Sequence, residues 1–438
     1  MPGGLIQLIA YGAQNQFING NPRMSFFKRV FRAHTHFSME SFTLQFSNEA
    51  QLTVGKSTIV SCKIRRFGDM LYNTYVIIEL PDVDTSLSGN EYYFKWIENI
   101  GELIVEEYWV SIGGSVVERR TGEFQHIWNE LSISDTKRSG YQRLNGYDKN
   151  MFNPPGCDTQ NINPSYKIMG RRIWIPLQLW FSRDSGLALP LIALQLHDVE
   201  LYVRFRRLDD LYMVRHKSQT TFTRPSVSQL NILDKIVPKS QHTKFAINNG
   251  SLNILARVDA NYAFLADKER NFFAKTSVDY LIEEVQTQTF STQGTNNIFK
   301  LTINNLVKEI IWFFRPKKAV DKNDWVGFVD ASGKDFMYDA KLTVQGIDRF
   351  ETKTSDYFNL IQPYHHHTRV PKAGIYVYSF SILPELFQPS GTINASRLSK
   401  FQLITTNDAS QEYDVICYYV NYNFLRIIGG MGSLMWQT

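Results

Sequence analysis

The chain has 438 residues, 43% of them hydrophobic and 20% charged, enough for about two to three domains with sizeable cores and too apolar for a disordered chain. Its 47 Lys and Arg against 42 Asp and Glu give a formal charge of only +5, and the basic pairs Arg65–Arg66, Arg119–Arg120, Arg171–Arg172, Arg206–Arg207 and Lys317–Lys318 are scattered. They read as solvated strand ends and loop rims, not as the single basic face of a nucleic-acid binder, so no direct sequence-specific nucleic-acid contact is expected. Three cysteines exclude a disulfide framework, and no apolar run reaches the roughly 18 residues of a membrane-spanning helix.

Residues 1–24 are rich in Gly, Asn and Gln but carry Leu5, Ile6, Leu8 and Ile9. This apolar stretch is too short, and lacks the basic start, for a signal peptide. It reads as an arm that docks on neighbouring molecules or internal layers. FFKRVF (26–31) is expected to form a turn or two of helix. From there the chain runs in short period-two alternations: Phe42-Leu44-Phe46, then Thr58-Val60-Cys62-Ile64, then Ile173-Ile175-Leu177-Leu179, Leu201-Val203-Phe205 and Ile375-Val377-Ser379. Turn clusters such as PDVDTSLSGN (81–90) and NPPGCDTQNINP (153–164) separate them. Many short strands between turn signals give an all-β sandwich or barrel. Cys62 and Cys417 fall in such runs as buried thiols, which suits a reducing compartment. The strongest helical pattern is DKERNFFAKTSVDYLIEEV (267–285). Polar stretches at 132–168, 209–250 and 316–335 read as long loops facing outward or carrying function.

The chain also repeats itself. VSIGG (110–114) recurs as LTVQG (342–346), and Glu123-Phe124 as Tyr357-Phe358. IWIPLQLWFS (173–182) recurs as IYVYSFSI (375–382), DVELYVRF (198–205) as KFQLITT (400–406), and NYAFL (261–265) as NYNFL (421–425). The shared order divides the chain into an arm (1–24), a first sandwich (25–266), a linker helix (267–277) and a second sandwich (278–438).

Residues that could carry chemistry do not assemble into a site. Three histidines in a row, His365 to His367, cannot converge on one metal from an extended strand and lack flanking ligands, so they read as a loop with exposed imidazoles. Gly429-Gly430-Met431-Gly432 lacks the Lys-Ser/Thr of a phosphate loop and reads as a tight turn. The adjacent pairs Glu106-Glu107, Asp209-Asp210 and Glu283-Glu284 diverge if they lie on strands. No nucleophile elbow is present. Asn249 and Asn394 match the glycosylation acceptor pattern only weakly. No cofactor, metal or enzymatic activity is expected. A sugar-binding protein or enzyme on a β-sandwich is one reading of such a chain.

GGLIQLIAYGAQ (3–14), GNP (20–22), FFK (26–28) and H-T-x-F-x-M-E (34–40) resemble the start of major capsid proteins of nucleocytoplasmic large DNA viruses. LALPLIALQLHDVELY (187–202), QPSGTINASR (388–397) and NYNFLRIIGGMGSL (421–434) resemble their later motifs. The resemblance implies a double jelly roll, two eight-stranded sandwiches in tandem. It implies a homotrimer that forms a pseudo-hexameric capsomer of an icosahedral virion, assembled in the host-cell cytoplasm. The implied partners are neighbouring capsomers, minor capsid and penton proteins, and an internal membrane layer. It adds Asn21, Pro22, Phe26 and Phe27 to the arm residues that would mediate assembly. Pro2, Ala33 and His36 depart from the family pattern, in the arm or just beyond it, and the long loops do not match; a minor capsid or scaffold protein of the same fold is the alternative within the family.

Overall fold

The computed structural model describes residues 3–89, 91–157, 165–248, 250–330 and 332–436. It divides into Met1–Phe37 and a compact unit, Ser38–Thr438. The first of these carries two short helices, α1 (Gly3–Ile9) and α2 (Ala13–Asn19), with no buried residue in either. FFKRVF forms only a turn at Phe26–Phe27 and is otherwise irregular.

The second unit is built on sixteen strands in two sets of eight. The first set is β1 (Phe37–Gln45), β2 (Thr58–Lys63), β3 (Met70–Glu79), β4 (Val105–Ile112), β5 (Ser115–Thr121), β6 (Arg172–Pro176), β7 (Val199–Phe205) and β8 (Arg257–Leu265). The second is β9 (Val278–Thr292), β10 (Asn296–Lys300), β11 (Leu306–Pro316), β12 (Met337–Val344), β13 (Ile347–Asp348), β14 (Ile375–Ser379), β15 (Phe401–Asn407) and β16 (Tyr413–Ile428). The first set forms sheets of order β1-β8-β3-β6 and β2-β7-β4-β5. The second forms β9-β16-β11-β14 and β10-β15-β12-β13, the same order advanced by eight. Each set is therefore one jelly roll, and the fold is all-β with the two rolls in tandem.

Alternation places the side chains. β7 and β15 each alternate strictly between buried and half-buried positions. β11 and β16 instead read as continuous apolar runs, because both faces of their sheet are covered. Ile310, Trp312, Phe314, Val415, Cys417 and Tyr419 face the core of the second sandwich. Ile311, Phe313, Ile416, Tyr418 and Val420 face the opposite way.

Each repeated segment occupies the same position in both rolls. The pair 110–114 and 342–346 closes the β4–β5 and β12–β13 hairpins. Their two-residue turns, Gly113-Gly114 and Gln345-Gly346, have φ of 57° and 83°, and 54° and 82°, the double left-handed geometry that matches strand twist. A Cβ on Gly113 would lie 2.5 Å from His197 Nδ1. Gly113→Ala is therefore expected to cost about 2 kcal/mol, seen as a lower urea midpoint at unchanged slope.

Three expectations need correction. The helical pattern at 267–285 becomes α3 (Asp267–Lys275) and stops there. Thr276 is extended, and Val278 begins β9, which pairs with β16 from Val278 to Thr292. That ladder overrides the local helical period. The long loops are structured as well: 132–168 holds helices Asp135–Leu144 and Lys149–Phe152, and 209–250 holds strand Tyr212–His216 and helices Ile232–Ile236 and Lys239–His242. The basic pairs are not all solvated, since Arg120 and Arg206 are buried while Arg119 and Arg207 lie nearer solvent.

Candidate assembly surfaces and the seam between the sandwiches

The helix Gly122–Ser132 follows β5 and is started by Thr121, whose hydroxyl accepts from the Phe124 N–H at 3.1 Å. Its buried face presents Phe124, Ile127, Trp128 and Leu131 to Ile311, Phe313, Ile375, Val377, Ile416, Tyr418 and Val420 of the second sandwich. The two rolls thus share an apolar seam of the kind that joins domains rigidly.

Polar contacts fix its register. Arg315 of the second roll and Arg206 of the first lie 2.9 and 3.3 Å from Glu123. Asn323 donates to the carbonyls of Asp209 and Tyr212 at 2.7 and 2.8 Å, and the Trp325 indole donates to Asp210 O at 3.1 Å. Arg369 donates to Glu130 O at 2.8 Å and to its carboxylate at 2.7 Å.

Charge is buried at one end of this seam. The Lys308 side chain is fully buried, 2.6 Å from Glu283, and it donates to Pro384 O at 2.5 Å. Arg183 of the first roll also pairs with Glu283. Both cations stand over the Trp128 ring, at 5.3 and 4.9 Å, where the ring's negative face adds to the attraction. Arg120 lies 2.5 Å from Glu118, whose other oxygen accepts the Trp180 N–H at 2.8 Å. Glu284 accepts from Asn423 at 2.9 Å, and burial pushes its carboxyl up to about 7. A second buried cluster ties the helix Gly122–Ser132 to the first roll: Glu102 accepts from His126 at 2.5 Å, Tyr141 at 2.6 Å and Asn129 at 2.7 Å. Burial pushes Glu102 up, but these partners outweigh it and hold the carboxyl below its usual range.

The histidine run is not a loop with exposed imidazoles. It ends the helix Gln362–His366. His365 is exposed, and the His366 ring contacts Ile382 O at 2.9 Å. The His367 side chain is fully buried between Glu309 at 3.1 Å and Glu385 at 3.0 Å. Burial alone would depress this imidazole, but the two carboxylates outweigh it and raise it to about 9. Asp209 and Asp210 do not diverge as strand neighbours would, because a 3-10 turn, Leu208–Asp210, aims both at Arg224. Among the described residues no three His, Cys, Asp or Glu side chains are placed to hold a metal ion.

A cavity of about 200 Å³, lined in part by Trp180, Arg183, Glu283, Glu385, Phe387 and Tyr422, opens between the rolls. It has the carboxylates and aromatics that a sugar-processing site would need. Yet Glu283 is neutralised by Lys308 and Arg183, and Glu385 by His367 and the Thr368 N–H. Both carboxylates are committed to structural pairs.

Of the arm residues, Leu5, Ile6, Leu8 and Ile9 lie on α1, all exposed. Asn21 takes a left-handed backbone with φ 50° next to Pro22, and Phe26 and Phe27 are 87% and 99% exposed. Asn394 is exposed at the end of strand Ile393–Asn394, where it pairs with Leu306 and precedes the 3-10 turn Ala395–Arg397. Asn249 lies outside the described residues. Gly429-Gly430 form the expected tight turn, with φ of 57° and 85°. The turn joins β16 to β17 (Met431–Leu434).

The family of the major capsid protein N-terminus matches residues 25–265, and that of the large eukaryotic DNA virus major capsid protein matches residues 269–433. Over its whole length the chain is 32% identical to the major capsid protein of Phaeocystis pouchetii virus and 34% identical to that of Pyramimonas orientalis virus, with 100% of each relative covered. Its fold superposes on a chain of the PBCV-1 virus capsid with a TM-score of 0.72 at 24% identity, over 94% of this chain and 100% of that one. It superposes on the Faustovirus major capsid protein with 0.73 at 13% identity, over 95% and 94%. The duplicated jelly roll and these full-length likenesses agree, and the chain belongs to the major capsid protein family of large eukaryotic DNA viruses, a family of structural proteins of the virion capsid.

Proposed function

We propose that three copies of this chain assemble into one capsomer of pseudo-hexameric outline, which joins neighbouring capsomers in an icosahedral shell. The observation that carries this reading is the identical strand order of the two rolls. Two similar bodies repeated about a three-fold axis present six similar corners, which is what a hexagonal lattice requires. In this reading the arm is residues 1–24, the rolls are 25–266 and 278–438, and 267–277 is the linker between them. Folding in the host-cell cytoplasm is supported by Cys62 and Cys417, both free and buried.

The first test is the solution mass by light scattering coupled to size exclusion. One chain is 50.8 kDa, so a trimer is about 152 kDa. A stable species at that mass is expected, and a strict monomer at micromolar concentration would overturn the reading.

Leu5, Ile6, Leu8, Ile9, Asn21, Pro22, Phe26 and Phe27 are proposed to mediate contacts below the capsomer, including those with minor capsid and penton proteins. Deleting residues 2–20 is expected to leave the protein a trimer with an unchanged melting temperature while abolishing shell formation. Normal particles from the truncated chain, seen by electron microscopy, would remove the arm from assembly.

A further inference from the structure

The end of the arm runs into a segment unlike the rest of the chain. Residues 23–32, RMSFFKRVFR, interleave Arg23, Lys28, Arg29 and Arg32 with Met24, Phe26, Phe27, Val30 and Phe31. No Asp or Glu occurs before Glu40, so no carboxylate within the arm offsets this charge. Phe31 is 89% exposed, and Met24 and Val30 are exposed as well. Ahead of the segment, α1 places Leu5, Ile6, Leu8 and Ile9 on one side and Gln7 on the other. α2 adds Phe17 and Ile18, both exposed, among Asn and Gln.

We propose that this arm binds an anionic lipid surface. Phe26, Phe27 and Phe31 enter the boundary between headgroups and acyl chains, and the four basic side chains pair with the headgroups. The inference rests on the reading of the arm as an assembly element and names its partner. Two features favour lipid over nucleic acid. The apolar side chains outnumber the basic ones, and most of those in the helices are aliphatic, which bury in acyl chains but do not stack on bases. The basic residues, without any acid, supply the second signal that a short apolar anchor needs for stable binding.

The test is flotation of the full-length protein with vesicles of phosphatidylcholine alone and of phosphatidylcholine mixed with phosphatidylserine. Co-flotation with the anionic vesicles only is expected, and it should weaken as salt is raised. The variant Arg23→Gln/Lys28→Gln/Arg29→Gln/Arg32→Gln is expected to lower partitioning by more than about 100-fold, at about fivefold per charge. Phe26→Ser/Phe27→Ser/Phe31→Ser, which keeps the charge, is expected to lose binding too. All these positions precede the first strand, β1, so both variants should keep the parent melting temperature. No flotation with anionic vesicles, or unchanged flotation of the charge variant, would overturn the proposal. So would binding that survives the Phe→Ser changes, or competition by duplex DNA at equal affinity, which would point to nucleic acid. If flotation fails while deletion of residues 2–20 still blocks shell formation, the arm remains an assembly element and only its lipid partner is withdrawn.

Discussion

Replacing Lys308 with Ala is expected to lower the unfolding free energy by about 3–5 kcal/mol, a drop of roughly 5 °C in Tm for a unit of this size. The amino group is fully buried and lies 2.6 Å from Glu283; burial pulls its pKa well below the usual lysine range, and the carboxylates of Glu309 and Glu385 work against that pull. Removing it leaves Glu283 with Arg183 as its remaining cation and takes positive charge from beside the buried Glu309. The cost comes from the anion left behind more than from the lost attraction. For that reason Lys308→Met combined with Glu283→Gln should recover much of the loss, since it removes both charges and keeps the volume. Calorimetry or urea unfolding of both variants checks the pair. A loss below about 1 kcal/mol in Lys308→Ala would mean that the pair behaves like a solvent-screened one.

The second large effect depends on pH. The folded-state pKa of His367 is raised from 6.5 to about 9. A group whose pKa rises on folding binds a proton more tightly in the native state, so its contribution is fully present below the unfolded value and is lost as pH climbs through the folded one. The shift corresponds to about 3 kcal/mol. Wild-type stability should therefore fall between about pH 6.5 and 9, as the imidazolium between Glu309 and Glu385 loses its charge. Glu284, raised to about 7, also loses its contribution as pH rises, so the wild-type curve alone does not isolate His367. The difference between wild type and His367→Gln does. That difference should be largest at the acid end of the window and shrink towards its alkaline end. A difference that stays constant across the window would show that the ring is neutral in the folded protein.

Much of the architecture was written locally. Alternation in segments such as DVELYVRF and KFQLITT gave the strands, and the order of the repeats gave two rolls of one topology, because a strand's facing pattern depends on its immediate neighbours in sequence. The seam was not legible in that way. Arg120 looked like half of a solvated pair, yet its partners Glu118 and Phe124 enclose it once β5 meets the helix that follows. His367 looked exposed because nothing next to it in sequence could hold it, and Glu309 and Glu385 reach it only through the fold. Lys308 precedes the run EIIWFF, where a single cation resembles a strand-end surface residue. The helical pattern after Lys275 failed for a related reason: Val278–Thr292 satisfies its backbone against a strand more than a hundred residues later. A repeat of fold is visible in sequence, whereas the surface that joins the two copies belongs to neither repeat.

The ladder between β9 and β16 also has a mechanical meaning. Val278 stands opposite Ile427 and Thr292 opposite Tyr413, so the linker and the C-terminal segment leave the ladder at the same end. Tension applied between them would act as a zipper, opening one residue pair at a time, which is the weak direction of an antiparallel pair. That end is fastened. β17 folds back on β16, the Leu196 N–H donates to Gly430 O at 2.9 Å, and the His197 ring sits 3.2 Å from Gly432 O. The hairpin thus rivets the peeling end of the second roll to the first. In a shell stretched from within, the load would have to shear that rivet before the longest ladder in the molecule could begin to open.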